Sequence, residues 1–273
     1  MNQLKGIPES MLIPLAARAR EFDHENPIIK DELSKEIFCH IKNDYKNIEC
    51  DKMSQVGISV RSAILDDITQ DFVNNAENPI VINIGCGLDT RYQRFNTYNL
   101  SWVDLDVPES IQIRKQFFEE TAHYKMIVKS MLDDTWIEQA KQYDFYDKDA
   151  NLLFIFEGVL MYFDMQTIKG LLNTIIQQFA SHKITFAIEF CSKTIAKNTK
   201  RHKSVSKLSS QPLFQYGYNQ LAELDAILPK QLSIKHEYNY FDFYKSRWGL
   251  FGACRYIPFL KNRLNNKIVT MEN

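Results

Sequence analysis

Ile80-Val81-Ile82-Asn83-Ile84-Gly85-Cys86-Gly87-Leu88-Asp89-Thr90-Arg91 is the stretch that decides the fold of this 273-residue chain. The breaker Asn78-Pro79 precedes it, and the short β-branched run that follows predicts a buried strand. Gly85 and Gly87 then let the backbone turn sharply and approach a neighbour without interference from a Cβ. Similar apolar runs recur downstream: Trp102-Val103-Asp104-Leu105-Asp106, Met126-Ile127-Val128, Leu152-Leu153-Phe154-Ile155-Phe156 and Ile184-Thr185-Phe186-Ala187-Ile188. Helical segments lie between them. Pro108 marks one start, ahead of Ile111, Ile113 and Phe117. Asp164 is an N-cap candidate for a second, which carries Ile168, Leu171, Leu172, Ile175, Ile176 and Phe179. Strands alternating with helices predict βαβ units and a mostly parallel sheet, an α/β fold.

Outside this core the pattern changes. Residues 10–75 read as helical, with one stripe of Met11, Leu12, Leu15, Ala16 and Ala19. A second stripe, Ile58, Ile64, Leu65, Ile68 and Phe72, is interrupted by Arg61 and Asp66-Asp67. Pro27 separates two of these segments. Downstream, residues 191–230 read as inserted helices, followed by strands at 232–243 and 267–271 that add antiparallel to the sheet. The chain is thus expected to be a single domain in four parts: an N-terminal helical cap (1–76), a ligand-binding core (77–190), a helical insertion (191–230) and C-terminal strands (231–273). It contains no internal repeat and no low-complexity tract.

Composition narrows the class further. With 45% hydrophobic and 25% charged residues, the chain can bury a sizeable core, which excludes disorder. A net charge of −1 gives no reason to expect nucleic acid or a membrane as partner. Cys39, Cys50, Cys86, Cys191 and Cys254 form no C-x-x-C pair, and an odd count argues against a disulfide framework. The first ten residues lack a signal peptide's apolar core, and no run approaches the ~20 residues that span a bilayer. The expected setting is therefore cytoplasmic and reduced. None of the six histidines has metal-ligand spacing, so no metal site is expected.

A parallel sheet places its ligand at the C-terminal ends of the strands. Gly85 and Gly87 stand at one such end, and Asp104 and Asp106 follow 19 and 21 residues after Gly85, at the end of the next strand. Carboxylates there accept ribose hydroxyls, in NAD or in S-adenosylmethionine alike. One feature separates the two. A dinucleotide fingerprint wants a third glycine and helix-start amides for a pyrophosphate, whereas this chain has Thr90 preceded by Asp89. A carboxylate repels a pyrophosphate but is compatible with a sulfonium and an α-amino group.

The string Gly85-Cys86-Gly87-Leu88-Asp89-Thr90-Arg91, followed by Asp104-Leu105-Asp106-Val107-Pro108, resembles the leucine carboxyl methyltransferase family, which includes O-methyltransferases of polyketide biosynthesis. Val60-Arg61 with Asp66-Asp67, Glu157-Gly158-Val159-Leu160-Met161-Tyr162 and Gly217-Tyr218 fit the same family. The resemblance implies a class I methyltransferase fold. That fold is a Rossmann-like, doubly wound sheet of seven strands, the last antiparallel, with N-terminal and inserted helices as a lid. It also implies S-adenosylmethionine as cofactor and S-adenosylhomocysteine as product. Arg61 would hold the methionine carboxylate, Gly85 and Gly87 would lie under the cofactor, and Asp106, with Asp104 nearby, would take the ribose. Met131 and Leu132, in the segment after the third strand, would flank the adenine. Glu157 would face the amino-acid end.

A methyl acceptor that is a carboxylate is already ionised near neutral pH, whereas a phenol usually needs a general base. No histidine falls in the strand-end motifs, which favours a carboxylate acceptor, and the family resemblance implies a small, polyketide-like molecule to carry it. No residue is assigned a catalytic role. Two other activities share these residues: an NAD(P)-dependent oxidoreductase, and a carboxyl methyltransferase acting on a protein C-terminus. A binding module that has lost catalysis is a third reading, although nothing in the motif is degraded. Lys197, Lys200, Arg201 and Lys203 form a basic run that reads as a solvated helix. Tyr238, Tyr240 and Phe243 alternate as packing residues do.

Overall fold

The computed structural model of the chain describes residues 7–42, 50–95, 100–199 and 212–273. Three helices come first: α1 (Leu12–Phe22), α2 (Glu32–Ile41) and α3 (Lys52–Asn75). Asp31 caps α2 by accepting from the Ser34 amide, and Asp51 caps α3 by accepting from the amides of Met53 and Ser54. Each short acidic side chain satisfies donors that the first helical turn leaves without a partner.

The strands then alternate with helices: β1 (Ile80–Ile84), α4 (Arg91–Phe95), β2 (Ser101–Asp106), α5 (Pro108–Arg114), β3 (Tyr124–Val128), α6 (Thr135–Ala140), β4 (Leu152–Phe156), α7 (Met165–Gln178) and β5 (Ile184–Phe190). The helix expected to run on from Pro108 stops at Arg114, and α6 has too short an apolar stripe to be legible beforehand. Two short helices follow, α8 (Lys193–Lys197) and α9 (Leu221–Asp225), then β6 (Ser233–Asn239), α10 (Pro258–Arg263) and β7 (Lys267–Glu272). Of the basic run, Lys200, Arg201 and Lys203 lie outside the described residues.

All seven strands form one sheet in the order β3-β2-β1-β4-β5-β7-β6. β1 to β5 are parallel, and β7 runs antiparallel between β5 and β6. Alternate residues of each strand face opposite layers. Ile80, Ile82, Ile84, Phe154 and Phe156 pack with Trp136 of α6 and Ile168 and Leu172 of α7. Val81, Trp102, Leu153 and Ile155 pack with Leu15 of α1 and Val60 and Ile64 of α3. Both faces are covered, and this is why the strands read as continuous apolar runs rather than alternating ones. Order reverses between β1 and β4, and the crevice for a ligand opens there.

The five cysteines are free thiols. Among the described residues, no helix is long and apolar enough to cross a membrane.

Two glycines report on packing with opposite signs. A Cβ at Gly217 would meet the carbonyl oxygens of Cys191 and Ser192 at 2.7 Å, and backbone cannot swing aside. Gly170 is exposed on α7 with nothing within 4 Å. Gly217→Ala is expected to lower the unfolding free energy by about 1–3 kcal/mol and Gly170→Ala to raise it by about 0.5–1 kcal/mol. Urea denaturation of the two variants checks both.

Candidate functional site

Beyond the C-terminal ends of β1, β2, β4 and β5 lies a cavity of about 540 Å³. Its floor is the turn after β1. Gly85 and Gly87 both have positive φ, 71° and 48°. A Cβ at Gly85 would meet Val159 Cγ2 at 2.7 Å, and one at Gly87 would meet Met11 Cβ at 2.8 Å. Only glycine both takes this conformation and leaves this space.

The structure separates the two aspartates of β2. Asp106 is half-buried on the cavity wall, where its carboxylate accepts from the Gly87 and Val107 amides at 2.7 Å each. Burial pushes its carboxyl up, partly offset by these hydrogen bonds. Asp104 is fully buried and does not line the cavity. It pairs with Arg114 at 2.5 Å, and it accepts from the Tyr124 hydroxyl at 2.6 Å, Trp102 Nε1 at 2.9 Å and Asn83 at 3.2 Å. The reason is the strand period: residues 104 and 106 share a face, but only Asp106 reaches past the strand end. Asp104 neutralises a buried arginine whose other donors hold the carbonyls of Gly87 and Asp89 at 3.1 and 2.7 Å, locking the glycine turn. The segment after β3 divides similarly. Met131 lines the cavity, whereas Leu132 is half exposed and outside its walls.

The far end of the cleft is an alternation of charge. Arg61 of α3, 6% exposed, donates to Glu157 from Nε at 2.8 Å and to Glu189 from a terminal nitrogen at 2.9 Å; its other terminal nitrogen lies 2.8 Å from Glu157. Gly158, with φ 70°, lets this guanidinium lie close over the backbone; a Cβ there would come within 3.1 Å of it. Arg91 links Glu157 at 2.8 Å, Asp89 at 2.7 Å and Asp66 at 2.8 Å. Arg94 takes both oxygens of Asp66, at 2.7 and 2.8 Å. Arg18 of α1 pairs with Asp31 at 2.9 Å and donates to the Leu88 carbonyl at 2.8 Å, and Thr90 donates to Asp31 at 2.7 Å. The residue in the third-glycine position thus fastens the turn to the N-terminal cap.

Burial alone would push the Glu157 carboxyl up. Arg61, Arg91 and Arg18 outweigh it and hold that carboxyl well below the ordinary carboxylate range. At Asp31 burial is likewise outweighed, by Arg18 and Arg94. Among the described residues, no three or more histidine, cysteine or acidic side chains are placed to hold a metal ion.

Glu189 is a wall residue that the sequence did not single out. It is fully buried at the end of β5, and it accepts from the Tyr240 hydroxyl at 2.9 Å and from Asn266 at 2.8 Å besides pairing with Arg61. Its signal was present: an acid inside the apolar run Ile184-Thr185-Phe186-Ala187-Ile188-Glu189-Phe190 at a parallel strand's C-terminal end. Tyr240, read as packing, is buried in the core and also lines the cavity through this hydrogen bond, while Tyr238 and Phe243 pack partly buried against that core. The remaining walls are mixed: Met11 and Ile13 from the cap, Ile58 from α3, Met161 and Tyr162 after β4, and Phe214 supply an apolar part, and Ser54, Ser110 and Ser130 a polar one. The rings of Tyr162 and Phe214 meet edge to face at 5.3 Å.

Comparison with known proteins agrees with this geometry. The family model for leucine carboxyl methyltransferase matches residues 11–176. The tetracenomycin polyketide synthesis O-methyltransferase TcmP of Streptomyces glaucescens is 25% identical over 185 residues, which cover 67% of this chain and 66% of that protein. The S-adenosyl-L-methionine-dependent methyltransferase dpfgK of Gibberella zeae is 25% identical over 201 residues, covering 68% and 66%. The matched stretch therefore spans just under two thirds of either relative. Among solved structures, a DUF574 family protein from Streptomyces avermitilis superposes with a TM-score of 0.59 at 10% identity, over 94% of this chain and 97% of that one. A SAM-dependent methyltransferase from Anabaena variabilis gives 0.52 at 12%, over 78% and 85%. At such identities the likeness is one of fold, the class I methyltransferase sheet.

The paired carboxylates set an acid limit. For Glu157 and Asp31 the folded-state values lie below those of the unfolded chain, so their stabilisation is complete above the ordinary carboxylate value and is lost as pH falls toward the depressed one. The unfolding temperature is expected to stay level from about pH 7 to 5 and to fall once the pH drops below the usual carboxylate value of ~4.3. Calorimetry across this range checks it; a level profile down to pH ~3 would contradict it.

Proposed function

Because the chain belongs to the leucine carboxyl methyltransferase family, we propose that it is an S-adenosylmethionine-dependent O-methyltransferase whose acceptor is a carboxylate on a small, polyketide-like molecule. When bound, S-adenosylmethionine supplies a methyl group on a sulfonium and leaves as neutral S-adenosylhomocysteine. The residues present fit it. Gly85 and Gly87 form a cradle that any Cβ would fill. Asp106 offers an acceptor edge for ribose hydroxyls, Met131 an apolar face for adenine, and Arg61 a carboxylate partner. A guanidinium carries five N–H donors. Three nitrogen–oxygen contacts hold Arg61 to Glu157 and Glu189, which leaves donors for a ligand carboxylate. Glu157 suits the α-ammonium end. Asp104 and Leu132 stand off the cavity wall, so neither is retained as a ligand residue.

One observation carries the acceptor class: among the described residues, the cavity walls include no histidine. Burial pushes the phenols of Tyr162 and Tyr240 up, and the thiol of Cys86 likewise, so none of them is poised to take a proton near neutral pH. A carboxylate needs no base, and the residues then act by orienting the acceptor and excluding water. The apolar part of the wall supports a small molecule over a protein terminus. An entering peptide backbone would lose hydrogen bonds to water without replacement among Met11, Ile13, Ile58 and Met161. Family membership also sets aside the nicotinamide reading, in agreement with Asp89 and Thr90 standing where a pyrophosphate would need amides.

Incubation with methyl-labelled S-adenosylmethionine and a panel of aromatic polyketide acids is expected to yield base-labile methyl ester. Label transferred only to phenols, as alkali-stable ether, would overturn the acceptor class. Arg61→Ala is expected to weaken S-adenosylhomocysteine binding by about 1.5–3 kcal/mol, the worth of a charge-assisted hydrogen bond. Unchanged affinity by titration calorimetry would remove Arg61 from the cofactor site.

A further inference from the structure

Between β6 and β7 the chain makes a surface that neither the sheet nor the cleft requires. Seven of the ten large apolar side chains exposed among the described residues fall between Tyr244 and Leu264. Leu250 is 95% exposed, Tyr256 75% and Phe259 61%. A scattered exposed leucine is ordinary, but a contiguous run of this size marks an interaction surface.

The surface is held on an anchored base. Trp248 is buried, donates to the Phe243 carbonyl at 2.9 Å and meets the Phe241 ring edge to face. Arg247 grips both oxygens of Glu21 at 2.7 and 2.9 Å. Ser192 donates to the Arg263 carbonyl at 2.6 Å, and Asn239 to that of Lys261 at 3.2 Å. Between these ties Gly249, at φ 55°, turns the chain outward, and Leu250 and Phe251 stand at the tip.

Within its own segment the charge has one sign, with Asp66 and Asp67 of α3 near Tyr244 at its edge. From Phe243 to Met271 the sequence contains no aspartate or glutamate and six lysines and arginines. Three are neutralised, Arg247 by Glu21, Lys261 by Asp242 and Lys267 by Glu237. Lys245 and Arg263, both exposed, have no carboxylate partner among the described residues; Arg255 has none either, but its Nε and one terminal nitrogen are buried. Arg255 and Arg263 lie over the rings of Tyr256 and Phe259 at 4.8 and 4.0 Å. A near-neutral chain thus concentrates unpaired cations and exposed aromatic rings on one projection, an asymmetry that its net charge of −1 conceals.

We propose that this projection docks on an anionic lipid surface, with Leu250 and Phe251 entering the interface and the exposed Lys245 and Arg263 facing the headgroups. Aromatic and aliphatic side chains flanked by arginine and lysine are the composition of peripheral membrane contacts. A symmetric pairing of two copies is opposed by the same charges, since it sets each patch against its own like. Docking here places the cleft beside the membrane, because a Cβ at the cavity residue Gly57 would lie 3.8 Å from the ring of Trp248, the patch's base, and the wall residue Asn266 follows the patch in sequence.

Co-sedimentation with vesicles of neutral phosphatidylcholine, alone or with about 30% phosphatidylglycerol, tests this without reference to any methyl transfer. The chain is expected to bind the anionic vesicles, to release as salt is raised, and to bind neutral vesicles at least ~5-fold more weakly. Leu250→Glu with Phe251→Glu, and separately Lys245→Glu with Arg263→Glu, are each expected to cut binding by roughly tenfold or more. Unchanged circular dichroism and unfolding temperature show that each variant is folded. Three results overturn the proposal: no binding to anionic vesicles, self-association in sedimentation velocity that the Leu250 and Phe251 pair abolishes, or binding to poly-glutamate with none to vesicles.

Discussion

Arg61, Arg91, Arg94 and Arg18 cannot be buried beside the strand tips unless acids meet them, and Glu157, Glu189, Asp66, Asp89 and Asp31 do so. Removing a charge from water costs several kcal/mol, and one uncompensated partner leaves that cost exposed. The alternation therefore behaves as a unit. It also spans chain segments far apart in sequence: α1, the cap of α2, the middle of α3, α4 with the turn before it, and the ends of β4 and β5. Hydrophobic packing sets these elements against one another approximately, but paired charges at 2.7–2.9 Å fix their register.

This constraint explains why the cleft walls are rigid where they are polar. At the turn after β1, Gly85 and Gly87 have no side chains to hold it. It is held from outside, by Arg18 on the Leu88 carbonyl and by Arg114 on the carbonyls of Gly87 and Asp89. Asp104 serves the same end by neutralising Arg114. Groups aimed before a ligand arrives need no reorganisation when it does, and a site for charge redistribution draws most of its effect from such preorganisation. The apolar half of the cavity has a different origin, in cap and post-strand side chains that have only shape to offer.

Much of the fold was legible because burial on both faces writes itself into a strand. Residues 80–84 and 152–156 matched β1 and β4 end to end, and Asp164 capped α7 as its position implied. The antiparallel addition was legible from two late strands without a clear helical crossover. The short α6 escaped, since one turn and a half carries too little periodicity. In the site, Gly85, Gly87 and Asp106 meet at one point, with the Gly87 amide on the Asp106 carboxylate at 2.7 Å. Glu189 escaped because a single acid ending an apolar run names no partner until α3 is folded against it.

Taken alone, the sequence determined the sheet, its glycine turn and the family, because apolar periodicity and backbone freedom are local properties of neighbouring residues. Tertiary structure decided which of two aspartates two residues apart faces the cavity. It also brought Glu189 onto Arg61 across 128 positions of chain and gathered the unpaired cations of residues 245–263 beside exposed rings. Those outcomes depend on how separate elements pack and where the strand ends, and no local pattern encodes either.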